Sequence, residues 1–249
     1  MRRLLEVAEE AARAGGAKAL AHFRDGVAVE TKKDGTPVSR ADRESEATIR
    51  AVLSRAFPDH AVLGEETGEE RSGASHRWIV DPVDGTKSFV SGVPLWGVLV
   101  GLEIDGDPVV GVMHLPAMDE TYVAARGEGC SLNGWPCHVS TTARVEDATI
   151  VTTSPRELRR RAPGYAAFAE RAKHERGWSD CWGYGLVASG RADVALDAKL
   201  SPWDLCAIVP IVEESGGRLT DWRGERTIHS GTVVISNGLL HDAALAAMR

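Results

Sequence analysis

The string Trp78-Ile79-Val80-Asp81-Pro82-Val83-Asp84-Gly85-Thr86 places two carboxylates three positions apart where an apolar run ends. Pro82 stiffens the turn between them, and Gly85 lets backbone come close to a ligand. A helix beginning near Thr86 would present free N–H groups to a phosphate. Carboxylates beside a phosphate repel it unless a cation intervenes, and Mg²⁺ is the natural one, since it takes oxygen ligands and keeps some of its water. Either acid alone reads as an Asp-rich turn or a helix cap. The whole string reads as a metal and phosphate site.

Two more acidic strings lie upstream and downstream. Leu63-Gly64-Glu65-Glu66-Thr67-Gly68 follows an apolar segment, so one glutamate could join a metal cluster while its neighbour orients the ligands. Ser201-Pro202-Trp203-Asp204 opens a helix with Ser201 at the cap and Pro202 at the first helical position, leaving Asp204 in the first turn. The helix dipole alone would favour an acid there. Ser39-Arg40-Ala41-Asp42 reads as a capping box. Arg176-Gly177-Trp178-Ser179-Asp180-Cys181-Trp182-Gly183-Tyr184 is dense in aromatics and carries one acid, a combination able to hold a flat or cationic group.

The elements that must position these strings follow from periodicity. Apolar spacing predicts helices over 4–23 and 39–57, with a polar turn-rich loop at 32–37 between them. Short apolar runs predict strands at 78–80, 98–104, 109–113 and 122–124, the middle pair joined at Asp105-Gly106-Asp107-Pro108. After 141 strand and helix alternate: a strand at 149–153, a basic helix over 156–173, a helix near 184–189, a strand at 194–196, then the Ser201 helix running to Gly216-Gly217. Pro210 should bend that last helix, because it removes a backbone donor and crowds the preceding turn. The expected architecture is α+β up to a seam near residue 140 and α/β after it, with 1–140 and 141–249 as two tightly joined lobes.

Bulk composition narrows the class. The chain has 249 residues, 43% of them hydrophobic and 26% charged, which is ordinary for a globular protein. A net charge of -7 disfavours a nucleic-acid surface. Cys130, Cys137, Cys181 and Cys206 form no metal-binding spacing and read as reduced, buried thiols. Glu6, Glu9 and Glu10 interrupt any signal-like apolar stretch, and no run approaches the length of a membrane span. A cytoplasmic enzyme acting on a small molecule is expected, with no nucleic-acid or membrane partner.

Taken together, the Gly-Glu-Glu turn, the Trp78–Thr86 string, the Trp203-Asp204 pair and the Glu213-Glu214-Ser215-Gly216-Gly217 helix end resemble the inositol monophosphatase-like family over essentially the whole chain. The resemblance implies a layered αβαβα sugar-phosphatase-like fold, with an antiparallel N-terminal sheet and a mixed C-terminal sheet. It implies Mg²⁺ bound by Glu65, Asp81, the Val83 carbonyl, Asp84 and Asp204, with Glu66 beside them. Gly85 and Thr86 amides would meet the phosphate together with Asp84, and Thr86 with Asp42 would orient the attacking water. Lys32 or Lys33 matches a mobile-loop lysine, and a homodimer is implied.

The same resemblance places Asp180 and Asp197 in the leaving-group pocket, with Arg176 as a further substrate contact. Two carboxylates there suit a cationic substrate better than a neutral polyol. This, with the Asp221–His229 stretch, is similar to the histidinol-phosphate phosphatase branch of the family, so hydrolysis of L-histidinol phosphate is the expected activity. The alternatives are an inositol-1-phosphate or related sugar-phosphate phosphatase, a nucleotide 3′-phosphatase, and a non-catalytic binding protein on the same fold.

Overall fold

A computed structural model describes the backbone of residues 1–25, 29–31 and 37–249, and the side chains of 1–23 and 40–249. Lys32 and Lys33 lie outside the described residues. The first half comprises α1 (Arg2–Asp25), β1 (Val29–Thr31), β2 (Pro37–Ser39), α2 (Arg40–Ala56), β3 (Ala61–Gly64) and β4 (Gly68–Glu70). It continues through β5 (His76–Asp84), α3 (Thr86–Val90), β6 (Gly97–Ile104), β7 (Asp107–Leu115), β8 (Glu120–Ala125), β9 (Gly129–Leu132) and β10 (Trp135–Pro136). The eight strands from β3 onward form one sheet in the order β10-β9-β8-β7-β6-β5-β3-β4. It is antiparallel except where β3 runs parallel to β5, so the larger sheet is mixed as well.

The second half comprises β11 (Thr149–Val151), α4 (Pro155–Arg161), α5 (Tyr165–Arg171), β12 (His174–Arg176), α6 (Asp180–Ala188) and β13 (Val194–Ala198). It ends with α7 (Pro202–Leu205), α8 (Ile208–Glu214), β14 (Arg218–Thr220), β15 (Thr232–Ser236) and α9 (His241–Met248). Its sheet runs β12-β11-β13-β15-β14, parallel in the first two pairings and antiparallel in the last two.

Strand alternation sorts the core into layers. Trp78, Val80, Val98, Val100, Val110 and Val112 face α1 and α2. Ile79, Leu99 and Met113 face the other way, onto α6 and α8 and, beyond them, Val151, Ala195 and Ile235 of the smaller sheet. Ile150, Val194 and Val234 then cover α4, α5 and α9. The order is αβαβα, and the middle layer is shared by both halves. The same alternation puts Asp81 on the Ile79 face and Asp197 on the Ala195 face, both inside the molecule.

Two expected helices are divided, one at a proline and the other a turn before one. The 156–173 helix becomes α4 and α5, separated at Ala162-Pro163-Gly164, and the following residues form edge strand β12. The Ser201 helix is split at Cys206-Ala207, one turn before Pro210, whose ring would crowd the Cys206 carbonyl in a continuous helix. Pro210 instead sits in the first turn of α8, where its missing N–H has no intrahelical partner to lose. The split lets the α7–α8 junction lie on the large sheet: a Cβ on Gly111 would stand 2.0 Å from the Ala207 carbonyl oxygen. That close approach brings Asp204 over the end of β5.

Candidate active site

β5 carries both acids of the central string. It pairs regularly with β6 up to Asp81↔Leu99, then bulges before Asp84↔Gly97. Within the bulge, Val83 N donates to Asp81 Oδ1 at 3.0 Å, and Thr86 Oγ1 donates to the Val83 carbonyl at 3.1 Å. Gly85 caps α3 at φ 82°, a left-handed backbone that favours glycine, and a side chain there would also crowd the Leu95 carbonyl at 2.9 Å. From α2, Ser45 Oγ donates to the Pro82 carbonyl at 3.2 Å, and Ala41 packs in one cluster with Val83 and Phe89. Asp42, beside Ala41 in the first turn of α2, is buried.

Asp204 arrives from α7. A capping box holds it, with Ser201 N donating to Asp204 Oδ2 at 2.7 Å. Asp81, Asp84 and Asp204 each offer one carboxylate oxygen, and these lie within 4.8 Å of one another. Glu65 lies next to this group, because β3 runs beside β5 and its chain end reaches the same rim: Glu65 N donates to Val80 O at 3.3 Å. Oxygen donors of this kind fit a hard divalent cation such as Mg²⁺, Mn²⁺ or Ca²⁺.

Electrostatics points the same way. Burial first, then the charges of Glu65, Asp84 and Asp204, push the Asp81 carboxyl well above its ordinary range. Asp84 is raised by burial and by Asp180 and Asp204. Asp204 is pushed up to about 6, by burial and then by Glu65. Crowded carboxylates of this sort either take up protons or bind a cation. A raised carboxyl stabilises the fold below its unfolded pKa and loses that contribution as pH rises through the folded value. Metal-free protein should therefore melt at progressively lower temperature between pH 5 and pH 8, and added Mg²⁺ should raise Tm more at pH 8 than at pH 5. Thermal scans in chelator and in Mg²⁺ check this; a Mg²⁺ shift independent of pH would contradict it.

The loop carrying Glu65 and Glu66 is held by two residues that sequence reading did not single out. Buried Glu46 accepts from Glu66 N at 2.7 Å, from Thr67 N at 3.2 Å and from the Thr67 hydroxyl. Arg50 completes the bracket, donating to Glu46 at 2.9 Å, to the Val62 carbonyl at 3.2 Å and to the Gly68 carbonyl. The signal was present in the chain. Positions 46 and 50 fall on the α2 face of Ile49 and Leu53, so two charges interrupt an apolar stripe.

Beyond the acid cluster opens a cleft of about 430 Å³, within the range of small-molecule sites. Among the described residues its walls carry the carboxylates of Glu65, Asp84, Glu157, Asp180, Asp197 and Asp204 and the ammonium groups of Lys87 and Lys199, the latter paired with Glu157 at 3.0 Å. Gly85 and Thr86 also line it. Asp180 lies beside Gly85 and accepts from Ser88 Oγ at 3.3 Å, and Cys181 N donates to Asp84 Oδ2 at 2.6 Å. Burial raises the Asp180 carboxyl, and pushes Asp197 up to about 7.

Some expected contacts are placed elsewhere. Arg176 is exposed on β12, outside the cleft lining, and donates to the Glu175 carbonyl at 2.7 Å. The resemblance makes it a substrate contact, whereas the strand at 174–176 sits on the outer edge of the smaller sheet. Asp197 lines the cleft, yet Thr152, Thr153 and Tyr184 already engage its oxygens. The aromatics of the cleft are Tyr184 and Trp203, whereas Trp178 is exposed and Trp182 packs against the core. No residue of the Asp221–His229 stretch lines it.

Fold and acid cluster together define a member of the inositol monophosphatase family, whose profile matches residues 1–249. The chain belongs to that family and is a phosphatase. It is 45% identical to a histidinol-phosphatase of Chlorobaculum parvum over 93% of this chain and 91% of that one. With a histidinol-phosphatase of Mycobacterium tuberculosis it shares 41% identity over 88% and 87% of the two chains. The solved structure of extragenic suppressor protein suhB from Bartonella henselae superimposes with a TM-score of 0.92, at 30% identity and 99% and 98% coverage. Among the described residues, no helix is long and apolar enough to cross a membrane.

Proposed function

We propose that this phosphatase hydrolyses L-histidinol phosphate to L-histidinol and inorganic phosphate, and that Mg²⁺ is its metal. The observation that carries the reading is the meeting of three carboxylate oxygens within 4.8 Å beside a cleft in which, among the described residues, acids outnumber lysines even after Glu157 is set against Lys199. Such a cleft repels a bare phosphate ester, and needs one cation for the phosphoryl group and suits another on the substrate. Histidinol phosphate brings an ammonium and an imidazole; inositol phosphate brings neither. The likeness to proteins called histidinol-phosphatase supports the same choice.

In this reading Glu65, Asp81, Asp84, Asp204 and the Val83 carbonyl hold the metal. Bound there, Mg²⁺ supplies Lewis-acid stabilisation of the phosphoryl charge and lowers the pKa of a water. Asp42 and Thr86 orient the attacking water, and Glu66 steadies the Glu65 loop. Amides of Gly85 and Thr86 face the phosphoryl oxygens. The water oxygen bonds to phosphorus as the ester P–O bond breaks, and the proton that the attacking water gives up balances the one the leaving alkoxide takes up. Asp180, standing beside Gly85, faces the ammonium carried by the departing alcohol.

The test is phosphate release in Mg²⁺ from L-histidinol phosphate and from inositol 1-phosphate. Histidinol phosphate should be the better substrate by kcat/KM, and the reverse order would overturn the reading. Asp180→Ala should lower kcat/KM for histidinol phosphate by roughly 10- to 100-fold, the scale of one lost charge-assisted hydrogen bond. Inositol phosphate should lose far less, and equal losses would remove Asp180 from the leaving-group pocket.

A further inference from the structure

Asp197 faces the cleft with a full set of donors. Thr152 Oγ1 and Thr153 N donate to its Oδ1 at 3.0 and 2.8 Å. Thr153 Oγ1 and Tyr184 OH each donate to its Oδ2 at 3.1 Å. Two carboxylate oxygens offer about four lone-pair sites. The residue is 3% exposed, so no edge of the carboxylate is left for a ligand.

What Asp197 orders is one step removed. The Thr153 hydroxyl has a single proton, which is committed to Asp197, so its oxygen is free to accept. It accepts from Asp180 N at 3.1 Å. Asp180 has φ 40°, a left-handed backbone that a non-glycine residue holds only under restraint. The restraint is visible on both sides: Thr153 takes the Asp180 amide, and Asp84 takes the Cys181 amide at 2.6 Å. Asp197, Thr153, Asp180 and Asp84 thus form one connected strut from β13 to the acid cluster.

We infer that Asp197 is a positioning residue for substrate selection: it fixes Thr153, which pins the strained Asp180 backbone and aims the Asp180 carboxylate at the leaving group. This rests on the reading that Asp180 faces the amine of the substrate. Asp197 itself stays out of contact with substrate. Discrimination between cationic and neutral leaving groups therefore depends on a residue buried behind the one that does the recognising.

The experiment compares kcat/KM for L-histidinol phosphate with kcat/KM for glycerol 2-phosphate, whose leaving group is neutral. Wild type, D197N, T153V, D180A and the doubles D180A/D197N and D180A/T153V are measured. D197N and T153V should each lower the ratio by roughly tenfold, as expected when a charge-assisted contact is misaimed. In the D180A background neither should lower it further, because nothing remains for the strut to aim. A drop in D180A/D197N as large as in D197N would mean that Asp197 touches substrate, and would overturn the inference. So would a wild-type ratio in T153V. Should D197N fail to fold, T153V and its double, which remove only one hydroxyl, decide the matter. A wild-type enzyme with no preference for histidinol phosphate would overturn the substrate reading and the inference with it; a preference that survives both single substitutions overturns the inference alone.

Discussion

Asp84→Asn is expected to lower kcat/KM for L-histidinol phosphate by on the order of 10³-fold, because removing one ligand charge forfeits several kcal/mol of transition-state stabilisation. The geometry explains why an isosteric change is so damaging. Cys181 N already donates to Asp84 Oδ2 at 2.6 Å, and an amide would keep that bond by turning its oxygen toward Cys181. Its NH₂ would then point at Asp81 and Asp204, whose oxygens lie within 4.8 Å of the Asp84 carboxylate. A donor would stand where a ligand is needed. The same substitution should leave metal-free protein at least as stable as wild type, since it relieves repulsion among the raised carboxyls. Steady-state kinetics with thermal melts in chelator measure both effects. Activity within tenfold of wild type would remove Asp84 from the metal site.

Arg50→Ala should produce the largest loss of stability, about 3–5 kcal/mol, the cost of leaving a buried carboxylate without its partner. Glu46 is 0% exposed and pairs with Arg50 at 2.9 Å, and it also carries the amides of Glu66 and Thr67. Losing the guanidinium also frees the Val62 and Gly68 carbonyls that flank the Glu65 loop. Tm should fall by roughly 10 °C for a chain of this size. Turnover should fall in the protein that remains folded, because Glu65 loses its support. Arg55→Ala is the control: its pair with Glu10 at 2.8 Å is exposed on both sides, where such contacts contribute about 0–1 kcal/mol. Equal effects of the two substitutions would refute the bracket.

The difference between these arginines shows what the sequence could and could not disclose. Asp81, Asp84, Glu65 and Asp204 could be singled out because their strings fall where apolar runs or a helix cap meet turns; singly each reads as a turn or cap acid, and only the strings together point to a metal. Their layer was legible too, since strand alternation alone puts Asp81 with Ile79 rather than with Trp78. Glu46 and Arg50 left only a fainter trace, two charges on an apolar helix face. The role of Asp197 left none. Its donors come from Thr152 and Thr153 on a neighbouring strand end and from Tyr184 on α6, and strand pairing decides that meeting. The family resemblance makes Asp197 a substrate contact; the four donors on its oxygens are the ground for proposing it as a brace instead.

Local breaks caused the other departures. Pro163 and Gly164 divide a segment whose basic periodicity reads as one helix, and Arg176 lies beyond it on edge strand β12, outside the cleft lining. Pro210 divides another segment, and here the division serves the site. The α7–α8 junction, one turn before Pro210, lies against Gly111 of the large sheet.

Phosphate release from L-histidinol phosphate by protein stripped of divalent ions, before and after Mg²⁺ is restored, probes the acid cluster most directly. Turnover should vanish on stripping, return with Mg²⁺, and fail to return in Asp84→Asn. Undiminished release by the stripped wild-type protein would contradict the assignment of Glu65, Asp81, Asp84 and Asp204 as the residues that hold a catalytic cation.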